Sequence, residues 1–436
     1  MKSLFTPFVF LLLLMGCLPT TAQKATTTTQ VVYAQDIYNF WEAYDLIVQT
    51  NDVTEQLAII REYYTDKASP GLQAYMQMRR VKDSMYVHLI NELPRFWESV
   101  RPKTLEAIDK AMEAEAAVAR LRSHYPDLKQ AEAYLFIGGL VSGGTVMDDK
   151  VLIGCEISAA DGTVDLSELE ASHHAWVVPF IRSSTSDSFL QMIAHEYGHT
   201  QQQGAQQNVL CKSINEGTCD FVAEIALGKP VSSHYITYGY EHFETIKAEF
   251  KEDLFTDYVS DWMYGENSRG HARDLGYFMG YVICKAYYEQ AQDKQAALKT
   301  IIELDHKDTD AVLAFLNESG FYEEPITGPP PAPEYPEDVC QVTFKVTVPN
   351  ETDEIFITGN RPDLGEWDPS KVKLEKTGPL ERSITLELQA PIEFKITKGN
   401  WDAQGRVAEG RGWSNLKAGF FEDTTLEYTV VEWSGE

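Results

Sequence analysis

The chain lacks a basic surface. Its 436 residues carry 37 Lys and Arg against 66 Asp and Glu, a formal net charge of −29. That balance argues against a nucleic-acid partner, because phosphate binding needs positive charge. Beyond its first two dozen residues it also lacks any apolar run near the ~20 residues that a bilayer-spanning helix requires. Cysteine is scarce, and no CxxC occurs. The cysteines therefore do not suggest a metal site. After Cys17 come Cys155, Cys211, Cys219, Cys284 and Cys340. An odd count leaves at least one unpaired. Cys211 and Cys219 are close enough in sequence to pair, but the plainer reading is small buried side chains.

The N-terminus has the opposite texture. Lys2 supplies a positive start, and Phe8 to Met15 form an apolar run too short to cross a bilayer. Small residues at Thr20 to Ala22 suit a cleavage site, which makes 1–22 a signal peptide. Leu14-Met15-Gly16-Cys17 also resembles a bacterial lipobox, with Cys17 as the lipid-bearing residue. Either way the mature chain is expected to be exported, as a periplasmic, cell-surface lipoprotein or secreted protein. Residues 23–35 read as a tether.

From Asp36 to about Lys129 apolar residues recur at helical spacing, as in Phe40, Tyr44, Ile47 and Val48. Pro94, Pro102 and Pro126 punctuate this stretch. AYLFIGG and VLIGCEI then read as two strands of one sheet, with SGGTVMDDK as the loop between them. Helical spacing returns from Asp187 to about Leu316. The segment 323–338, EEPITGPPPAPEYPED, is proline-dense and reads as a stiff linker. Beyond it, VTFKVTV, EIFITG, SITLEL, IEFKIT and LEYTVV alternate as antiparallel strands. The expected fold is α+β. A mostly helical domain with a small sheet, 36–322, precedes an all-β, immunoglobulin-like sandwich, 339–436.

IAHEYGHTQQQ places His195 and His199 four apart, on one face of a helix. Two imidazoles on one face can hold one tetrahedral Zn2+. Glu196 projects beside that face, where it can take a proton from water. A catalytic zinc site usually has three protein ligands. Glu216, in Asn215-Glu216-Gly217-Thr218-Cys219-Asp220, is the natural third. Asp220, one helical turn on, can accept a hydrogen bond from the free ring nitrogen of His195 and so orient it.

HExxH followed by NExxxD resembles the thermolysin-like, glutamate-ligand zinc peptidases, the gluzincins. The resemblance implies Glu216 as third ligand and Asp220 as the carboxylate behind a histidine. Cys219 stands where that pattern has Ser. A closer resemblance covers most of 36–320. GGLVSGGTVMDDKVLIGCEI, AHEYGHTQQQ, NEGTCDFVAE and DLGYFMGYVI are similar to a bacterial family of predicted zinc-dependent proteases related to gliding-motility lipoproteins. This implies a hydrolase and supplies no substrate.

In gluzincins an edge strand upstream of the metal helix binds the substrate backbone, and VLIGCEI is the candidate here. An oxyanion donor is sought in GHARDLGYFMGYVI. Tyr277 is favoured, with Tyr281 and His271 as rivals. Gly276 and Gly280 would let that helix approach a neighbour closely.

LGEW (364–367) and EFKI (393–396) resemble the starch-binding modules of carbohydrate-binding family twenty. The resemblance implies that Trp367 and Lys395 belong to a sugar platform, with Trp401 as the nearest second Trp. An exported zinc peptidase is expected, acting on a peptide or protein and carried by a module for α-glucan or a related glycan. The rival is a non-catalytic surface adhesin or motility-associated protein that keeps the fold.

Overall fold

A computed structural model describes residues 32–435, except 171–172, 174–175, 186, 265–268, 330, 332 and 411. The expected signal peptide, Cys17 and most of the tether lie outside these residues.

The first half is helical, as its periodicity requires. It contains α1 (Gln35–Ile47), α2 (Val53–Tyr63), α3 (Pro70–Arg79), α4 (Asp83–Glu92), α5 (Pro94–Asp109) and α6 (Ala111–His124). Asp52 and Ser69 cap α2 and α3 by accepting from backbone N–H groups of the first turn. Pro94 opens α5, but Pro102 lies within it. A single missing rung does not end a helix whose other face is buried through Phe96, Trp97 and Val100.

A four-stranded sheet follows, in the order β1-β2-β4-β3. Its strands are β1 (Val32–Tyr33), β2 (Glu132–Phe136), β3 (Gly144–Met147) and β4 (Lys150–Gly154). β1, β2 and β4 run parallel, and β3 pairs antiparallel to β4. This corrects two expectations. The segment read as a loop contains β3, and VLIGCEI supplies the interior strand β4 while β3 is the edge. β4 then leads into a short helix, α7 (Cys155–Ser158).

The remaining helices of this half are α8 (Val177–Ser183), α9 (Ser188–His199), α10 (Val209–Leu227), α11 (His234–Glu241), α12 (Phe243–Asp253), α13 (Val259–Trp262), α14 (Leu275–Gln290), α15 (Lys294–Glu303) and α16 (Thr309–Glu318). α10 and α14 cross almost backbone to backbone. A Cβ on Gly280 would stand 1.8 Å from Ser213 O. No helix among the described residues is long and apolar enough to cross a membrane.

One buried apolar cluster runs from Val32 to Phe321 and another from Cys340 to Trp433. The second is a sandwich of two sheets. One contains β6 (Phe356–Gly359), β7 (Val372–Lys373), β10 (Ile392–Thr397) and β12 (Leu416–Ala418). The other contains β5 (Cys340–Thr347), β8 (Glu375–Lys376), β9 (Glu381–Leu388), β11 (Gly405–Val407) and β13 (Thr424–Trp433). Its pairing is not wholly antiparallel as expected, because β13 runs parallel to β5. The five described cysteines are all free and buried. Cys211 and Cys219 share α10 and do not pair.

Candidate metal centre

The candidate metal-binding face is built by two helices packed close together. α9 carries His195, Glu196 and His199, and α10 carries Glu216 and Asp220. Asn208 caps α10 by accepting from Cys211 N at 2.8 Å. Gly198 permits the approach, since a Cβ there would lie 3.1 Å from Cys219 Sγ.

Three atoms converge between the helices. His195 Nε2 and His199 Nε2 are 3.2 Å apart. Glu216 Oε2 lies 3.0 Å from His199 Nε2 and 3.4 Å from His195 Nε2. The surrounding hydrogen bonds fix which atoms carry protons. His195 Nδ1 is 2.8 Å from Asp220 Oδ1, and a carboxylate only accepts, so Nδ1 carries the hydrogen. The same logic reaches His199 through Gln202. Gln202 Nε2 donates to Asn215 O at 2.9 Å, so its Oε1 faces the other way and accepts from His199 Nδ1 at 2.9 Å. Both Nε2 atoms therefore hold lone pairs in the neutral rings. Two lone pairs and a carboxylate oxygen pointing at one another fit a cation.

The charge balance agrees. Burial alone would keep the imidazoles neutral, yet Asp220 and Glu216 pull the pKa of His195 well up, and Glu216 raises that of His199. Burial likewise opposes ionisation of Glu216, but His199 and His195 hold its carboxyl well below the usual range. The pocket thus favours positive charge, which a divalent ion would supply. Asp220 is fully engaged, since its second oxygen accepts from Tyr235 Oη at 3.0 Å.

Cys219 Sγ also lies within 4.8 Å of a ring nitrogen on each histidine. It is the weaker candidate. Burial and then the charges of Glu216 and Glu196 push its thiol pKa well up, so it stays protonated, and it donates to Gln202 Oε1 at 3.5 Å. Glu216 is ionised, and its Oε2 lies 3.0 Å from His199 Nε2.

Glu196 faces a cleft of roughly 440 Å3. Among the described residues its carboxylate has no hydrogen-bond partner. Burial raises its pKa, and His199 and His195 pull it partly back. A Cβ on Gly144 would lie 2.7 Å from Glu196 Oε1, so the start of the edge strand β3 sits directly against this carboxylate. Ile157, Trp176, Phe180 and Met192 give the cleft an apolar wall.

Tyr277 lines the cleft and stacks on His195, with ring centroids 5.9 Å apart. Its two rivals lie elsewhere. The Tyr281 hydroxyl donates to Glu224 in a short hydrogen bond, and Lys285 holds the other oxygen of that carboxylate. His271 is drawn to Glu249 at 3.1 Å and Tyr238 Oη at 2.9 Å, outside the cleft. Sequence reasoning assigned no role to Gln202, Asn215, His234, Tyr235 or Tyr264. Tyr264 Oη donates to Glu216 Oε1 at 2.6 Å. His234 lines the cleft with Asp274 Oδ2 at 3.9 Å. Only Gln202 carried a local hint, as one of the three glutamines that follow the candidate ligand His199 in HTQQQ.

In the sandwich, Trp367 is half-buried in a run of left-handed residues, Gly365 to Trp367. Lys395 Nζ donates to Trp413 O at 2.5 Å. Trp413 is 40% exposed, and its backbone carbonyl stands beside Lys395. Trp401 is equally exposed but lies in the turn after β10, where its carbonyl accepts from Gln404.

Residues 172–307 match a family described as a predicted Zn-dependent protease. Residues 339–417 match the starch binding domain. An amylopullulanase of Thermoanaerobacterium thermosulfurigenes is 34% identical over 101 residues, which is 21% of this chain and 5% of that protein. The chain therefore corresponds to a small part of that relative. A family 15 glucoamylase from Hypocrea jecorina aligns over 52% of this chain and 46% of its own, at 14% identity and a TM-score of 0.17, which carries no argument about fold.

Proposed function

We propose that this chain is an exported zinc peptidase whose β-sandwich holds it to an α-glucan or related glycan. One observation carries the peptidase reading. His195 Nε2, His199 Nε2 and Glu216 Oε2 converge within 3.4 Å while the far nitrogen of each ring is bonded elsewhere. Three such ligands with a fourth position open is the usual arrangement of catalytic zinc. Zinc held there polarises a carbonyl and lowers the pKa of water.

The chain's own residues supply the rest. An extended peptide pairs with the free edge of β3, which brings its backbone across Glu196. Glu196 takes the proton of the attacking water on its carboxylate and returns it to the leaving amine. Tyr277 donates to the oxyanion as it develops. The apolar wall accepts a hydrophobic side chain next to the cleaved bond. Export rests on Lys2 and the apolar run before Cys17, which would also carry a lipid anchor.

The test is Glu196→Gln. Gln keeps the shape and cannot take a proton, so zinc should stay at one per chain while hydrolysis of a peptide library falls by about 10²–10⁴-fold. His199→Ala should lose the zinc. Wild type with full zinc that cleaves nothing, or Glu196→Gln that cleaves as fast as wild type, would sink the reading.

A further inference from the structure

Tyr264 sits on a backbone that does not suit it. Its φ is +66°, in the left-handed region, which a bulky side chain adopts only under strain. Packing does not explain the position, because Tyr264 is 55% exposed at the rim of the cleft. Two hydrogen bonds hold it. Its N–H donates to Asp274 Oδ1 at 2.9 Å, and its hydroxyl donates to Glu216 Oε1 at 2.6 Å. Its ring stands edge-on to Tyr277, 6.2 Å away.

These bonds divide the two oxygens of Glu216 between two tasks. Oε2 faces the two Nε2 atoms at 3.0 and 3.4 Å. Oε1 is occupied by the phenol. A carboxylate with both oxygens free can bind a cation through one or both. A donor fixed on Oε1 removes the second option.

We infer that Tyr264 is a positioning residue of the metal centre: its hydroxyl holds Glu216 Oε1, so that Oε2 alone is offered and the fourth position stays open. This rests on the reading of Glu216 as a ligand. The left-handed backbone at Tyr264 goes with a hydroxyl placed on Glu216 Oε1.

The experiment is Tyr264→Phe in the full chain, with Zn2+ affinity measured by chelator competition and the Co2+-substituted protein examined by visible absorption. Phe keeps the ring and the N–H bond to Asp274, so the zinc-free protein should melt as wild type does. Zinc affinity should fall by about 10–100-fold, the usual effect of removing a partner behind a ligand. Release of Oε1 should raise the coordination number and weaken the Co2+ bands. Zinc affinity within about twofold of wild type, or an unchanged Co2+ spectrum, overturns the proposal. Glu216→Ala separates the two levels. If it keeps wild-type affinity, the ligand assignment itself fails. If it loses the metal while Tyr264→Phe matches wild type, only the role of Tyr264 fails.

Discussion

The crossing of α10 and α14 can be broken with one methyl group. A Cβ on Gly280 would lie 1.8 Å from Ser213 O, and one on Gly217 would lie 2.1 Å from Gly280 C and Tyr281 N. Those neighbours are backbone, so no rotamer change relieves them. The helices must part by more than an ångström before the contact at Gly280 reaches even 3.0 Å. Such a gap costs the atoms on either side a quarter to a half of their dispersion energy. Overpacking typically costs 1–3 kcal/mol, and a backbone clash belongs at the upper end, so Gly280→Ala should cost about 3 kcal/mol. Urea unfolding of the zinc-free chain, followed by far-UV circular dichroism, measures it. Gly162→Ala is the control, because its Cβ would meet nothing nearer than Arg182 O at 3.8 Å, and it should change stability by less than about 0.5 kcal/mol. Zinc affinity should fall with Gly280→Ala too, since α10 carries Glu216. A wild-type urea midpoint for Gly280→Ala would refute the packing argument.

Two further outcomes are expected. Glu156 is buried and accepts from Gly138 N and Leu140 N at 2.9 and 2.8 Å, yet burial outweighs these bonds and pushes its carboxyl up to about 7. A folded-state pKa raised above the unfolded one gives stability that is complete below about pH 4.5 and lost as pH rises through about 7, at roughly 1.4 kcal/mol per pH unit or about 3 kcal/mol in all. The stability difference between wild type and Glu156→Gln should therefore change between pH 5 and pH 8, and a difference constant across that range defeats the assignment. In the sandwich, the Lys395 contact favours Trp413 over Trp401 as the partner of Trp367. Trp413→Ala should weaken retention on insoluble starch about tenfold, the loss of about 1.4 kcal/mol of stacking, and undiminished retention alongside loss in Trp401→Ala would reverse the choice.

The features that were legible in the sequence are those that local geometry decides. HExxH and NExxxD each put their side chains one turn apart on a helix, and helical periodicity around them was strong enough to fix that geometry. The edge strand was misplaced although a signal was present. VLIG is apolar throughout, and a strand buried on both faces belongs inside a sheet, as the burial of Val151 to Gly154 shows. GTVM, partly exposed at every position, has the texture of an edge. Tyr264 left no usable signal, because its bond to Glu216 spans 48 residues and depends on a left-handed φ at the tyrosine itself, a conformation that a bulky side chain rarely adopts.

Tyr277 and Tyr281 show where local geometry stops being enough. Residues four apart share a helix face, so both seemed able to reach the metal. α14, however, touches α10 most closely at Gly280, between the two tyrosines and opposite Gly217. On one side of that crossing Tyr277 meets His195. On the other, Tyr281 meets Glu224, two turns beyond Glu216 on α10. The glycines that let the helices approach also set the point at which one face divides between two partners. Which tyrosine faces His195 is thus decided by where the backbones touch, and that point is a property of two helices that neither sequence segment carries alone.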